Sequence, residues 1–417
     1  MTLRKQHCRF LLLLLLAIII AWPQAALATS AAGSEQQEQM TVVVCVIDGC
    51  PNLSLGCLPE TAYLRQLCAD ERCQYKSIEA VFPSSTAAGH AAIFTGTYPE
   101  RNGVTGKEYL DDDGELLRFK DPAVLEEPTL FHVARSAGLG TAMISAKANL
   151  CKMLSEATDF AIWPESVPDW VIETVGPPPD ESTQYEDFAG WHIQLDRWVL
   201  RTVEAYLEQN DMPVFVGINV GSVDKCGHRF GPLPAAETAE CLCSISEGLE
   251  ELAATLEATR PGRWSLIITA DHGMTRVDTG IAARDIIDDI TDEDVPITLD
   301  GGVLYVWAED NRGKIADALR QTEGVAEVIE AEDVTRRAEL HIEHPRTPPL
   351  IAVTDRGCMF IEALLFMDYT LGSHGTTLDT DVDVPLIVVG RNADSVDIEN
   401  VSSITDIASI VRELLGI

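Results

Sequence analysis

Five runs of apolar, largely β-branched residues recur along the chain, at Thr41–Ile47, Tyr75–Phe82, Gly140–Ser145, Pro213–Val220 and Ser265–Ala270. The intervals between them carry the apolar spacing of helices, most clearly over Thr129–Ala137, His192–Asn210 and Ala235–Ala258. Strands that are apolar throughout, rather than at every second residue, are buried on both faces. When such strands alternate with helices, the crossovers make neighbouring strands parallel. The pattern therefore predicts an α/β fold, a three-layer sandwich with a mostly parallel central sheet. After residue 295 the texture changes. Gly302–Trp307 and Val325–Ile329 read as strands around a helix at Asn311–Gln321, and an apolar stretch follows at Pro349–Val353. Residues 295–371 are expected to form a smaller α+β cap inserted in a catalytic domain of residues 41–417. The chain returns to the main sheet at Val384–Val389 and closes with a helix at Ile404–Leu415.

The first residues read as an address. Arg4, Lys5 and Arg9 precede an apolar run from Phe10 to Trp22, and Ala26-Leu27-Ala28 has the small-x-small form of a cleavage site. The run is shorter than the roughly 20 residues a membrane-spanning helix needs. A secretory signal over residues 1–28 is expected, then a flexible polar lead-in over 29–40, with no stable membrane span after the signal is removed. The protein is thus expected to be exported, periplasmic or extracellular. Export permits disulfides among the cysteines that remain, but spacing does not give the pairing.

Charge narrows the partners. The chain carries 66 Asp+Glu against 30 Lys+Arg, a net −36. Such a surface repels phosphate backbones, so nucleic acid is not an expected partner. A small phosphorylated substrate remains compatible if local cations overturn the global field.

In open parallel sheets, ligands bind beyond the carboxyl ends of the strands. Asp48 ends the first run, and Thr86 follows the second. Asp224 and His228 come just after the Pro213–Val220 run, and Asp271 and His272 end Ser265–Ala270. His374 lies in Gly372-Ser373-His374-Gly375, after the cap. Singly, each has a plain structural explanation as a turn or helix-capping residue. Together, three Asp and three His on one rim are too many for a single tetrahedral ion. Two divalent cations fit better, and the mixed oxygen and nitrogen donors suit Zn2+. Coordination would also lower the pKa of the Thr86 hydroxyl, making a weak nucleophile competent. Thr86 begins an apparent helix, whose N-terminus favours an anionic phosphoryl group. Ser84 and Ser85 are the rival nucleophiles, but they precede the helix start.

This ordered set, with the segment FPSSTAAGHAAIFTGTYPERNGV, resembles the type I phosphodiesterase/nucleotide pyrophosphatase branch of the alkaline phosphatase superfamily. The resemblance spans essentially the whole chain after the signal. It implies an alkaline-phosphatase-like fold, with Asp48, Asp271 and His272 on one zinc and Asp224, His228 and His374 on the other. It also implies that Thr86 contacts a metal and is transiently phosphorylated. Sulfatases are disfavoured, because their Cys/Ser-x-Pro-x-Arg signature is missing here.

Three residues depart from or extend that pattern. Lys107 stands where many relatives carry an Asn that binds a phosphoryl oxygen. Lys147, just after the Gly140–Ser145 run, keeps the first of two basic residues found in phosphonoacetate hydrolases and some monoesterases, and Asn149 replaces the second. Lys107, Lys147 and Asn149 are accordingly candidate substrate contacts. The expected activity is two-metal hydrolysis of a small phosphate ester, diester or monoester. The alternatives are carbon–phosphorus cleavage of a phosphonate and, in another class, a secreted binding protein without catalysis.

Overall fold

The computed structural model describes residues 40–362 and 370–417. The expected signal over 1–28 and the lead-in, apart from Met40, lie outside the described residues. The main sheet is built from strands β1 (Thr41–Ile47), β2 (Gln74–Glu79), β3 (Gly140–Ser145), β4 (Phe160–Ile162), β5 (Val214–Val220), β6 (Trp264–Thr269) and β7 (Asp383–Gly390). Their order across the sheet is β2-β7-β6-β1-β5-β3-β4. Every residue of β1, β5 and β6 is buried, which is why these segments read as unbroken apolar runs. β1 pairs in parallel with β5 and β6, and β3 pairs in parallel with β5 and β4. β7 is the exception, running antiparallel to both β6 and β2. Apolar pattern does not encode strand direction, so this reversal was invisible in the sequence. So was β4, three residues at the sheet edge.

Helices cover both faces. The long helices Phe188–Gln209 and Ala236–Thr259 pack together on one side, while Thr86–Thr95, Leu130–Ser136 and Ile407–Leu415 pack together on the other. The second layer is anchored by aromatic packing. Phe94 stacks on Phe131 with centroids 5.3 Å apart, and Phe131 lies 5.1 Å from Phe215 of β5. The helix beginning at Thr86 is therefore fixed to the sheet through its own Phe94.

Between β6 and β7 a four-stranded antiparallel sheet forms, in the order Ile297–Asp300, Val303–Val306, Leu350–Thr354, Val325–Glu330. Helix Arg312–Gln321 closes one face, burying Ile315 and Leu319 with Leu304, Val306 and Phe360. The same small core takes in Ile281 and Ile287, and Thr279–Ala282 pairs in parallel with Cys358–Ile361. Packing of this second sheet thus reaches back before residue 295. Its other face sets Val303, Tyr305 and Ile351 against Phe82. Among the described residues, no helix is long and apolar enough to cross a membrane.

Truncating Phe131 tests how the layer holds. Phe131→Ala removes a fully buried ring and is expected to destabilise the fold by about 3–5 kcal/mol. A shifted denaturant midpoint at unchanged slope would report this; an unchanged midpoint would contradict the aromatic anchor.

Candidate metal centre and nucleophile

Register brings the chemistry to one rim. Val46 of β1 lies opposite Asn219 on one side and Thr269 on the other, so the ends of three adjacent strands coincide. Asp48 leaves β1 there and Asp271 follows β6, both fully buried. The turn after Asp48 needs Gly49, whose φ is +69° and whose Cβ, if present, would sit 2.9 Å from the Asp224 Cα. The Gly49 N–H donates to Asp271 Oδ1 at 3.2 Å, tying the two strand ends.

Thr86 is the first residue of its helix, after Ser85 in extended conformation. The Ser85 side chain accepts no bond from the first turn. The amides there stay available to an anion. Thr86 Oγ1 lies 3.4 Å from Asp48 Oδ1 and 3.3 Å from His272 Nε2. The helix can approach this closely because residue 89 is glycine: a Cβ there would meet the Asp271 carbonyl oxygen at 2.5 Å. Ser84, a rival nucleophile, is occupied elsewhere. Its hydroxyl donates to the Thr376 carbonyl at 2.7 Å and accepts from the Gly375 N–H at 3.1 Å.

The second group grows from helix Ser222–Phe230. Asp224 and His228 are one turn apart and share a face, with His228 Nε2 3.2 Å from Asp224 Oδ1. His374, from the loop after the cap, brings its Nε2 to 3.7 Å from the same oxygen. The six candidate ligands read from the sequence thus assemble as two trios: Asp48, Asp271 and His272, and Asp224, His228 and His374. The donor atoms within each trio lie within 4.8 Å of one another. The His272 and His374 rings stack at 3.8 Å, so the trios adjoin.

The donor set fits divalent cations on three counts. Nδ1 of His272, His228 and His374 faces the carbonyls of Gly273, Gly372 and Ser84 at 2.8, 2.8 and 3.0 Å. A carbonyl only accepts, so each Nδ1 carries the proton and each Nε2 keeps its lone pair for a ligand. Asp224 Oδ1 is buried without a hydrogen-bond partner. Burial, with His272 and His228 beside it, holds His374 well below its ordinary pKa, in the neutral form a metal requires.

Lys147 stands between the trios. Its Nζ donates to Asp48 Oδ1 at 2.8 Å, to Asp224 Oδ2 at 2.9 Å and to Thr86 Oγ1 at 3.3 Å. Burial disfavours its charge, but Asp224, Asp48 and Asp271 outweigh that and raise its pKa. Burial alone would raise Asp224 too; Lys147 and His228 instead hold it well below the usual carboxylate range. Burial and Asp271 keep Asp48 raised. Lys107 and Asn149 stand less close to the centre. Both line the cavity over Thr86, with Lys107 Nζ 3.4 Å from the Leu299 carbonyl oxygen and Asn149 exposed on helix Ala148–Met153. That cavity, about 720 Å³, also carries Lys147, Lys225 and Arg118.

Four supporting residues escaped the sequence reading. Asn219 Nδ2 donates to Asp48 Oδ2 at 2.9 Å, and its Oδ1 accepts from Ser145 Oγ at 3.1 Å. His90 Nδ1 donates to the Thr86 carbonyl at 2.9 Å, while its Nε2 lies 3.2 Å from Asn219 Nδ2. Asp196 accepts from the Gly221 and Ser222 N–H groups at 2.8 and 2.9 Å, fixing the start of the helix that bears Asp224 and His228. An Asn inside the apolar β5 run was the one available signal; Asp196 sits in a long helix with nothing local to mark it. Asp196→Ala should leave every ligand in place yet lower metal affinity by roughly 10–100-fold. Zinc titration against a competing chelator checks this, and unchanged affinity would remove Asp196 from the support.

Comparison with known proteins agrees with this arrangement. Residues 42–376 match the family described as type I phosphodiesterase / nucleotide pyrophosphatase. The human ectonucleotide pyrophosphatase/phosphodiesterase family member 7 is 27% identical over 212 residues, 49% of this chain and 44% of that protein. The venom phosphodiesterase of Macrovipera lebetinus is 22% identical over 213 residues, 48% of this chain and 22% of that protein. The chain thus spans less than half the length of these curated relatives. Among solved structures, phosphonoacetate hydrolase from Sinorhizobium meliloti 1021 superposes with a TM-score of 0.72 at 19% identity, covering 90% of this chain and 96% of that one. Murine ectonucleotide pyrophosphatase/phosphodiesterase 5 superposes with a TM-score of 0.68 at 19% identity, covering 91% and 96%. The fold is alkaline-phosphatase-like, and the chain belongs to the type I phosphodiesterase/nucleotide pyrophosphatase family.

Proposed function

We propose that the protein is an exported hydrolase of small phosphate esters, dependent on two divalent cations, most simply Zn2+, with Thr86 as nucleophile. One observation carries this reading: the Thr86 hydroxyl sits within 3.4 Å of Asp48, His272 and Lys147, beside both trios of donors. When bound, the cations supply Lewis-acid activation of the nucleophile and neutralise charge on the phosphoryl and leaving oxygens.

The chain's own groups do the rest. Thr86 Oγ1 gives up its proton to water and forms the new bond to phosphorus as the ester P–O bond breaks, and the leaving oxygen takes a proton from water. Water then hydrolyses the phosphothreonine and restores the hydroxyl. The first-turn amides of helix Thr86–Thr95 face the phosphoryl oxygens. Lys147, whose Nζ lies 3.3 Å from Thr86 Oγ1, would donate to one of them. Lys107 and Asn149, in the cavity wall, contact the substrate further out. The cavity's cations draw an anion in against the net −36 of the chain. Ala148, Leu299 and Met359, partly exposed on the same wall, offer the leaving group apolar surface.

A second reading, cleavage of a carbon–phosphorus bond in a small phosphonate, is favoured by Lys107 and Lys147 in the same cavity. Parallel assays of an aryl monoester, an aryl diester and phosphonoacetate separate the two. Turnover of phosphonoacetate alone would select the phosphonate reading.

Two variants test the mechanism. Thr86→Ala should abolish phosphoryl transfer while metal content, read by plasma mass spectrometry, stays unchanged; normal turnover would eliminate Thr86 as nucleophile. Lys147→Ala should lower kcat/KM for a dianionic monoester by about 100-fold or more, and for a monoanionic diester by much less. Equal losses on both would mean that Lys147 serves the metal ligands rather than the substrate.

A further inference from the structure

Cys226 lies between Asp224 and His228 on helix Ser222–Phe230, and Cys241 lies on the neighbouring helix Ala236–Thr259. Both side chains are fully buried and both thiols are free. Their sulfurs are 3.3 Å apart, closer than unbonded sulfur atoms ordinarily approach. We infer that Cys226 and Cys241 form a disulfide that ties the helix carrying Asp224 and His228 to the helix behind it. Closing the contact to a bond of about 2 Å needs little more than roughly 1 Å of side-chain movement.

The loop the bond would close contains His228 and the turn at Gly231, whose carbonyl already accepts from Thr238 Oγ1 at 2.8 Å. The bond would therefore fix the one donor-bearing helix that holds two ligands of the second trio. Bond formation is a thiol–disulfide exchange with a small-molecule disulfide such as oxidised glutathione, or with an oxidoreductase's disulfide. One cysteine thiolate attacks the oxidant, breaking its S–S bond and releasing one thiol. The second cysteine sulfur then displaces the other, so two electrons pass to the oxidant and the two protons end on the released thiols. In the closed fold both sulfurs are fully buried, out of reach of an oxidant. Exchange accordingly takes place during folding or local opening, before the sulfurs are sealed.

The bond itself does not depend on the proposed reaction; its effect on ion retention rests on the two-cation reading. The test starts from full-length chain purified under reducing conditions and equilibrated with oxidised and reduced glutathione. Alkylation without reductant, digestion and mass spectrometry should yield a peptide pair joined through Cys226 and Cys241. Recovery of both cysteines alkylated, or joined to other partners, overturns the proposal whatever the enzyme does. Zinc release to a chelator should then be several-fold slower from the oxidised chain than after a phosphine reductant. In Cys226→Ala/Cys241→Ala the reductant should have no effect. A mapped disulfide with the same release rate in both redox states would overturn the ion-retaining role and leave the bond standing.

Discussion

Three carboxylates, Asp48, Asp224 and Asp271, are buried at one rim of the sheet, and their mutual repulsion is the constraint around which the site is organised. At the separations within a trio, up to 4.8 Å, two such charges repel by about 3–4 kcal/mol at an effective dielectric of about 20. A single hydrogen bond contributes about 1 kcal/mol and does not offset that. The arrangement is tenable because a cation stands inside it. Lys147 bonds Asp48 and Asp224 at once, Asn219 holds the other Asp48 oxygen, and the Gly49 and His272 N–H groups hold Asp271 Oδ1, while Asp224 Oδ1 and Asp271 Oδ2 have no hydrogen-bond partner. One ammonium against three carboxylates still leaves the rim anionic, and divalent cations are the chemical answer to that excess.

The fold delivers these groups through backbone approach rather than side-chain reach. β1 is flanked by β5 and β6 in parallel register, so Asp48, Asn219 and Asp271 emerge side by side. Gly89 lets the helix that begins at Thr86 rest on the Asp271 carbonyl, and Phe94 on the same helix fastens it to the sheet. His90, one residue beyond Gly89, links the Thr86 carbonyl to the amide that holds Asp48. Thr86 and Asp48 therefore share one support. Asp196 plays the corresponding part for Asp224 and His228, from a helix distant in sequence.

Much of this was legible before any coordinates. Buried strands declare themselves as unbroken apolar runs, and a carboxylate or imidazole just past such a run lies at the rim by construction. Asp48, Asp224, His228, Asp271 and His272 were singled out that way, Thr86 as the start of the helix after the second run and His374 from its loop after the cap, and the structure gathers them at one rim. Strand direction was not legible, because β7 has the same apolar pattern as its parallel neighbours. The boundary of the second sheet's packing was also hidden: Ile281 and Ile287 join that core from a segment without strong periodicity. The supports Ser145, His90 and Asp196 were missed because their partners are far off in sequence, and hydrogen bonding across the sheet leaves no local trace. Lys147 was read as a candidate substrate contact; the structure places its ammonium against the Asp48 and Asp224 carboxylates, a contact the sequence did not announce.

Lys107, Lys147, Lys225 and Arg118 at the cavity beside Thr86 make a local positive patch in a strongly acidic chain. The account turns on whether two cations occupy the trios with the Thr86 hydroxyl beside them. Anomalous diffraction at the zinc edge from crystals of the zinc-loaded chain measures this directly. The expected map has one peak among Asp48, Asp271 and His272, next to Thr86 Oγ1, and another among Asp224, His228 and His374. A map without peaks at these trios, from protein that carries zinc elsewhere, would contradict it.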